Sequence, residues 1–313
     1  MNVGVALEEF DLASGRTTTL SELAAQALRA ESLGYSSAWV MDHFWIQGAA
    51  GRRGAHEPLV TLAYLAARTS RIKLGTLVLC NSLRHPGQLA REGAALADAA
   101  PGRIILGLGA GWHAPEYEAF GVPFDHRVSR LEETLLALPS LLAGQSVDLV
   151  GEHLRLTGAE VLTSAPAPPL WVAAAGPRSI GLAARYADGW NLAWLGPEPS
   201  PFAGSLSRLR EETARARRPP GAVTASVGLL AFPIEGEERE AVLSRAASLP
   251  RGRWDPARAD EQAVIGPPAR LAEVLRAYRE AGAEHVILSF APSPFGGFDG
   301  AYVERAAPAL EML

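Results

Sequence analysis

The sequence predicts an α/β protein with the (β/α)8 architecture of a TIM barrel, and three observations support this fold class. Short apolar runs alternate with amphipathic stretches along all 313 residues. The runs are apolar throughout, as in parallel strands that are covered on both faces. Eight strand–helix units in series are typical of a closed (β/α)8 barrel. We therefore expect a single domain over residues 1–313.

The predicted strands and helices follow one another at regular intervals. Thr19 and Glu22 form a capping box, which predicts a helix that ends near Gly34. A later helix is expected to open at Pro267 and Pro268, with Gly282 past its end. The eight predicted strands are Val3–Leu7, Ser37–Met41, Ile72–Leu79, Arg103–Leu108, Leu170–Ala174, Gly189–Trp194, Ala225–Phe232 and His285–Phe290.

Three stretches do not fit the plain repeat and are expected to be insertions. Residues 110–125 follow the fourth strand and predict a long loop at the barrel mouth. Residues 145–164 predict a polar β-hairpin. Residues 233–263 are charged and rich in proline, and they predict a mobile excursion after the seventh strand.

Composition restricts the classes of partner. The net charge of −5 gives no electrostatic footprint for nucleic acid, and no apolar run approaches the ~20 residues that a membrane span needs. Because Cys80 is the single cysteine, an internal disulfide is excluded, which fits a reducing compartment. We expect Cys80 to be a small buried residue. The chain starts without a basic leader. We expect a cytoplasmic protein that binds a small organic molecule.

The second predicted strand runs directly into Asp42, His43 and Trp45. In a barrel, the carboxyl ends of the strands form the functional mouth, so these side chains are expected there. A histidine beside an aspartate has its tautomer fixed by that neighbour, which suits proton handling. We predict that Asp42 and His43 are catalytic. A capping aspartate beside a structural histidine is the alternative that spacing leaves open.

A run of glycines ends the fourth predicted strand. Gly107, Gly109 and Gly111 have the spacing Gly-x-Gly-x-Gly, which differs from the Gly-x-Gly-x-x-Gly of a dinucleotide-binding fold. Trp112 and Pro115 follow where such a fold needs a helix to begin. A nicotinamide-binding Rossmann domain is therefore disfavoured. The glycines are expected to let a planar ligand or another backbone approach closely.

The fifth predicted strand ends in small residues that precede a helix: Ala174, Ala175, Gly176, Pro177 and Arg178. Small residues expose the amides of a helix N-terminus, which bind anions, and an arginine adds a charge-assisted donor. We predict a phosphate site here, with an ordinary tight turn as the alternative. No metal-binding spacing of histidines and no Gly-x-Ser-x-Gly motif occurs, so we expect no metal site.

Four segments resemble the bacterial luciferase-like flavin and deazaflavin oxidoreductases in order and spacing. They are WVMDHFW, LGTLVL, ILGLGAGWHAPEYEAFGVPF and PLWVAAAGPRSIGLAARYADGWN. The chain is similar in particular to the branch that uses coenzyme F420, in which Gly-Ala-Gly-Trp and Asp-His-Phe are typical. The resemblance implies a (β/α)8 barrel with the deazaflavin ring across its mouth.

The resemblance also implies roles for individual residues. Asp42 and His43 match the strand-two pair, with His43 beside the reactive ring carbon or the substrate. Leu77 and Val78 match a third-strand position where relatives carry a cis peptide bond behind the ring. The cofactor-binding set that we predict is Asp42, Leu77, Val78, Gly109, Gly111, Ala174, Ala175, Gly176, Pro177 and Arg178.

Trp112 departs from the pattern of the family's sugar-phosphate dehydrogenases, some of which place a catalytic glutamate at this position. We expect Trp112 to pack against the ring or the substrate, and Trp45, Trp112 and Trp194 to line an apolar substrate pocket. Glu116 is a further candidate for proton handling but is expected to be a solvated loop residue.

The leading hypothesis is therefore an F420-dependent oxidoreductase that transfers a hydride between the coenzyme and an organic substrate. The main alternative keeps the fold and uses FMN, as a monooxygenase that consumes oxygen. A barrel that only carries a flavin is a second alternative. Relatives often pair through barrel helices, so a homodimer is expected by analogy.

Overall fold

The closed barrel is formed by eight parallel strands that pair in chain order. The computed structural model describes residues 1–11, 16–48, 51–247, 256–290 and 301–313. The eighth strand pairs with both the seventh and the first, and the fourth pairs with the fifth, so the ring closes. The predicted fold class is confirmed. The strands are β1 (Asn2–Ala6), β2 (Ser37–Val40), β3 (Lys73–Thr76), β4 (Ile104–Gly109), β5 (Leu170–Ala173), β6 (Gly189–Leu195), β7 (Thr224–Phe232) and β8 (His285–Ser289).

Helices cover the outside of the ring. The capping box of Thr19 and Glu22 is present at the first helix, and Gly34 follows its end with φ +87°, as its place after a helix predicts. The helices are α1 (Leu20–Ser32), α2 (Pro58–Arg68), α3 (Pro86–Ala99), α4 (Ala114–Ala119), α5 (Arg127–Leu142), α6 (Pro177–Tyr186), α7 (Ser200–Arg215), α8 (Gly236–Ala247), α9 (Ala259–Gln262), α10 (Pro268–Glu280) and α11 (Ala301–Glu311).

Short strands and 3₁₀ turns lie between the barrel strands and the helices in the chain. The hairpin predicted within residues 145–164 is confirmed, with Leu149 opposite Leu156. The other short strands are Phe10–Asp11 with Arg16–Thr17, Ile46–Gly48 with Gly51–Arg53, Val147–Val150 with Arg155–Ala159, Leu79–Cys80 beside β4, and Val264–Ile265 beside β7. Single 3₁₀ turns lie at Asn81–Leu83 and Pro256–Arg258.

Three predicted segments differ in detail from the structure. The third strand is not continuous over Ile72–Leu79: β3 ends at Thr76, the Leu77–Val78 peptide is cis, and Leu79–Cys80 then pairs with β4. Part of the stretch 233–263 is the helix α8 rather than an irregular excursion, because Glu237 and Glu238 lie in its first turn, where negative charge is favourable. Residues 248–255 lie outside the described residues. The loop 110–125 contains α4.

Side chains alternate along each strand, which gives the barrel two separate cores. Residues of one parity pack between the ring and the helices, in a continuous apolar layer. Residues of the other parity point into the barrel, where Trp39, Ile105, Trp171 and Ile287 form a second cluster. The interior is therefore packed with side chains below the mouth, as in other barrels of this type.

Glycines on neighbouring strands make room for the two interior tryptophans. A Cβ at Gly75 would collide with the Trp39 ring, and a Cβ at Gly189 would collide with the Trp171 ring. The rings of Trp39 and Trp171 lie 5.1 Å apart and fill this space. Bulky and small residues thus alternate around the ring, which is how an eight-stranded barrel fills its lumen.

Gly107→Ala is expected to destabilise the barrel by about 3 kcal/mol. A Cβ there would collide with the Thr76 carbonyl oxygen of the adjacent strand, and neither backbone can move without breaking the ring. Gly204→Ala is the matched control: it lies exposed in α7 with no heavy atom near the added carbon, and we expect a gain of roughly 0.5–1 kcal/mol. Equal unfolding free energies for both variants in urea would contradict this interpretation.

Among the described residues, none of the helices combines the length and the apolar character that crossing a membrane requires.

Candidate active site

The barrel mouth is lined by small residues at the carboxyl ends of the strands. Ala6, Ala173 and Ala193 have inward parity, yet none of them is fully buried. Their short side chains occupy little volume at this end of the barrel. This is the end of a barrel at which ligands bind, and the predicted site residues can be placed relative to it.

His43 follows β2 and contacts Glu116 of α4. Its Nδ1 lies 2.9 Å from Glu116 Oε2, and the other carboxylate oxygen accepts the Trp45 amide at 3.0 Å. The side chains of His43 and Glu116 are only 13% and 6% exposed. A residue of α4 that lies 73 positions away in the chain therefore fixes the orientation of the imidazole.

Glu116 is buried, so the expectation of a solvated loop residue is wrong. Burial raises the pKa of this carboxyl, but hydrogen bonds from His43 and the Trp45 amide outweigh it, and the net pKa is lowered. An ionised carboxylate can only accept hydrogen bonds. The shared proton therefore belongs to His43 Nδ1, and in the neutral form of the ring the lone pair lies on Nε2.

Asp42 does not fix the tautomer of His43, which corrects the contact inferred from their adjacency. Its carboxylate accepts the Cys80 amide at 2.7 Å and forms a bidentate pair with Arg84, which also binds Glu57. Successive residues after a strand point in different directions, so Asp42 faces the segment after β3 while His43 faces α4. Asp42 thus joins the end of the second strand to the loop after the third. Its catalytic role stays a prediction.

Glu9, which was not singled out from the sequence, is a second buried carboxyl close to Asp42. Its Oε2 accepts the Met41 amide at 2.6 Å, while its Oε1 is buried without a hydrogen-bond partner. Burial raises the pKa of Glu9 to about 8, and the charge of Asp42 acts in the same direction, against the Met41 hydrogen bond. Glu9 is therefore protonated at neutral pH. The Glu-Glu pair after β1 carries no recognised motif.

The glycines at the end of β4 and directly after it are required by neighbouring protein atoms. A Cβ at Gly109 would lie 2.6 Å from Val78 Cγ2, and one at Gly111 would collide with the Tyr117 hydroxyl. Gly111 also has φ +78°, which favours glycine. Tyr117 Oη lies 2.9 Å from Cys80 Sγ, and burial raises the pKa of this buried thiol. Cys80 is buried, as expected. Contacts of Gly109 and Gly111 with a cofactor stay predictions.

The small residues after β5 lead into α6 as predicted. Gly176 is the N-cap residue, Pro177 follows, and no side chain caps the helix. Ala174 is buried, with its amide bonded to the Asn191 carbonyl, whereas Ala175 and Gly176 are exposed. The first turn of α6 thus offers amide donors toward the mouth.

Arg178 is already paired within the protein. Its guanidinium binds Ser129 Oγ at 3.0 Å and Glu132 Oε2 at 2.8 Å. It borders a cleft of about 340 Å³ on the outer side, between α6 and α7. Donation from Arg178 to a phosphate stays a prediction, and it requires sharing with Glu132.

The three tryptophans predicted for the substrate pocket differ in their surroundings. Trp112 and Trp194 are 56% and 37% exposed. Trp45 is partly buried, with the Arg52 guanidinium 3.9 Å from its ring centroid. Trp112 lies against His43, with ring centroids 5.6 Å apart. Trp112 therefore shares the surroundings of His43, while the placement of all three in one substrate pocket stays a prediction.

His113, which was also not singled out from the sequence, brings a second imidazole to Glu116. Its Nδ1 lies 3.0 Å from Glu116 Oε2. The His-x-x-Glu spacing at the start of α4 places both residues on one helix face, which is the signal that the sequence offered. The sequence predicted no metal site, yet the fold gathers His43, His113 and Glu116, whose ligand atoms lie within 4.8 Å of one another.

Comparison with known proteins identifies relatives of this barrel. The model of the luciferase-like monooxygenase family matches residues 1–259. The chain is 37% identical over 194 residues to the F420-dependent hydroxymycolic acid dehydrogenase of Mycobacterium tuberculosis, a match that covers 60% of this chain and 51% of that protein. It is 35% identical over 208 residues to the F420-dependent glucose-6-phosphate dehydrogenase of Nakamurella multipartita, covering 63% and 59%.

A solved structure with a similar fold is an F420-dependent secondary alcohol dehydrogenase in complex with an F420-acetone adduct. The TM-score is 0.81 at 18% identity, with 99% of this chain and 98% of that chain covered. This likeness concerns the fold. In sequence, the chain spans less than two thirds of the length of the two dehydrogenases above.

Proposed function

The chain belongs to the luciferase-like monooxygenase family, and from this membership we propose that it is an F420-dependent oxidoreductase. It transfers a hydride between the deazaflavin and an organic substrate. The names of its sequence relatives support the choice of coenzyme. The observation that carries the proposal is the imidazole of His43, held by Glu116 at the open end of the barrel.

The residues of the mouth fit a flat cofactor with an anionic tail. The short side chains of Ala6, Ala173 and Ala193 at the strand ends favour the approach of a flat ring. Beside these strand ends, α6 begins without a side-chain cap. The amides of its first turn, at Arg178 and Ser179, would hold a phosphate. Leu77 and Val78 would lie behind the ring, and the bound coenzyme would supply the hydride chemistry.

His43 is proposed as the proton acceptor or donor that accompanies hydride transfer. Glu116 holds the proton on Nδ1, so the lone pair on Nε2 is available to accept a hydroxyl proton. Neighbouring Trp112 shields this position on one side. Trp45, Trp112 and Trp194 favour a substrate with apolar surface. Asp42 supports the site by joining its loop to Arg84 and the Cys80 amide.

An FMN-dependent monooxygenase is the second candidate, because the family is named for a monooxygenase and its flavin members are part of the resemblance described above. The two candidates differ in which cofactor binds and in whether oxygen is consumed. We expect the untagged protein to bind F420 with a Kd at least tenfold below that for FMN, measured by fluorescence titration without oxygen. Tight FMN binding with oxygen uptake and no affinity for F420 would favour the monooxygenase instead.

Gly176→Asp is expected to weaken F420 binding by about tenfold relative to Gly176→Asn. Both residues are good N-caps, and the nearest heavy atom to a Cβ there is Ser179 Oγ at 3.7 Å, so both variants should fold. Only aspartate places a negative charge at the proposed phosphate site, a repulsion of about 1–2 kcal/mol. Equal F420 affinity of the two variants would contradict phosphate binding at the N-terminus of α6.

A cytoplasmic location and a homodimer are also proposed. The location is supported by the single cysteine in the sequence. The dimer is supported by the family resemblance alone. Sedimentation of the purified chain tests the second proposal directly.

A further inference from the structure

Three ligand atoms of the kinds that bind transition metals converge at the barrel mouth. Glu116 Oε2 lies 2.9 Å from His43 Nδ1 and 3.0 Å from His113 Nδ1. The three side chains are 13%, 14% and 6% exposed for His43, His113 and Glu116. They come from two places in the chain, the end of β2 and the start of α4. The arrangement is therefore a product of the fold.

One of the three atoms lacks a hydrogen bond of normal geometry. His113 Nδ1 is buried and makes no such bond, although it lies 3.0 Å from the Glu116 carboxylate and contributes to the lowered pKa of that carboxyl. A buried polar atom without a partner is rare in folded proteins and demands a reason. The Glu116 oxygen nearest to His113 Nδ1 is already bonded to His43 Nδ1, so the hydrogen bonding of the protein does not explain the position of His113.

We propose that His43 Nδ1, His113 Nδ1 and the Glu116 carboxylate bind a divalent transition-metal ion, with Zn²⁺ as the best match. Two imidazoles and one carboxylate form a common three-ligand set for zinc, with a water in the fourth position. Tetrahedral zinc with bonds of about 2.0–2.1 Å places neighbouring ligand atoms about 3.3 Å apart. The observed separations of 2.9 Å and 3.0 Å are within a few tenths of an ångström of that value.

The surroundings of the three ligands support this assignment. The Trp45 amide donates to Glu116 Oε1, which orients the carboxylate as outer-shell contacts do in metal sites. The rings of Trp45 and Trp112 lie 5.0 Å and 5.1 Å from the His113 ring. These aromatic walls lower the local dielectric and strengthen the attraction between the cation and the carboxylate.

Metal binding changes what His43 presents to a substrate. Without the ion, Nδ1 carries the proton and Nε2 accepts a hydrogen bond. With the ion on Nδ1, the neutral ring must carry its proton on Nε2, which becomes a donor. Zinc therefore abolishes the ability of His43 to accept a hydroxyl proton. This inhibitory effect rests on the proposed function, whereas the binding of the ion does not.

The binding experiment uses the full-length untagged chain, freed of metal with a chelator and titrated calorimetrically with ZnCl₂. We expect one ion per chain, at least tenfold weaker binding to His113→Ala, and unchanged binding to His126→Ala. His126 is a matched control because it is exposed and lies near another histidine, His153, at 5.5 Å between ring centroids. No stoichiometric binding to the parent, or equal affinity of the parent and His113→Ala, overturns the proposal.

Cobalt provides a readout that does not depend on the folding of a variant. Co²⁺ added to the parent chain should give the intense visible d–d absorption of a four-coordinate ion, and Zn²⁺ should remove it. Only the weak absorption of a six-coordinate hydrated ion would overturn the proposed ligand set.

Turnover with F420 tests the inhibitory effect separately. One equivalent of Zn²⁺ should abolish turnover by the parent, and EDTA should restore it. The metal-free turnover of His113→Ala, whatever its rate, should be unchanged by one equivalent of Zn²⁺. Stoichiometric zinc binding that leaves turnover of the parent unchanged overturns the inhibition. Absence of F420 turnover in metal-free protein overturns the proposed function, while calorimetry still decides the metal site.

Discussion

His43→Ala is expected to lower kcat for F420-linked hydride transfer by about 10²–10⁴-fold, the usual contribution of a positioned acid–base group. Nε2 of His43 is proposed to meet the substrate proton during the reaction, while the phosphate of the coenzyme binds at α6. The KM for F420 should therefore change little, because the lost interaction belongs to the transition state. Steady-state kinetics measured without oxygen and with excess chelator check the prediction.

Glu116→Gln is expected to lower the same kcat by about tenfold to a hundredfold, because Glu116 acts through His43. A neutral amide no longer enforces a proton on Nδ1, so part of the population adopts the other tautomer. The nitrogen chemical shifts of the His43 ring in NMR report this change, which a merely structural role would not produce. Glu118→Gln, on the exposed side of α4, is the control. Unchanged His43 shifts with lost activity would contradict the positioning role.

Acidification is expected to destabilise the fold through His285, by an amount on the order of 5 kcal/mol between pH 6.5 and pH 3. His285 is buried in the barrel, where its Nε2 lies 2.9 Å from Ser37 Oγ. Burial lowers its pKa from 6.5 to about 3, and the positive charges of Lys73 and the N-terminus act in the same direction. The unfolded chain binds a proton below pH 6.5, while the folded chain does not until about pH 3.

The stability contributed by the neutral ring is therefore fully present above pH 6.5 and is lost progressively as the pH falls to about 3. Unfolding free energies of the parent and of His285→Gln, measured in urea across this range, isolate the effect. Glu9 contributes the opposite pH dependence of stability, because its raised pKa favours the folded state at low pH. This contribution is present in both proteins and cancels in the comparison. Parallel curves for the two proteins would contradict the assignment.

Most of the barrel was predictable because local signals and the global fold agree. Each barrel strand is an apolar run of suitable length, and Thr19 with Glu22 defines the start of α1 without tertiary contacts. Helix α8 was missed because its charged, proline-flanked composition resembles a loop when its packing is unknown. The break in the third strand at Leu77 and Val78 was indicated only by the family resemblance.

The candidate site was predictable in position but not in its contacts. His43 lies at the mouth because strand ends do, which sequence order alone indicates. Its partner Glu116 is 73 residues away, and only the folded α4 buries that carboxylate against it. Asp42 looked like the partner because it is adjacent, yet its carboxylate is held by Arg84. Contacts between distant loops depend on side-chain packing, which no spacing rule contains.

The most direct test of the central claim is a crystal structure of this protein with F420 bound. We expect the deazaflavin ring across the barrel mouth beside His43, with the phosphate on the amides of Arg178 and Ser179. The indole of Trp112 should face the same space. Coenzyme bound elsewhere on the protein, with side chains filling the space above Trp39 and Trp171, would contradict the account.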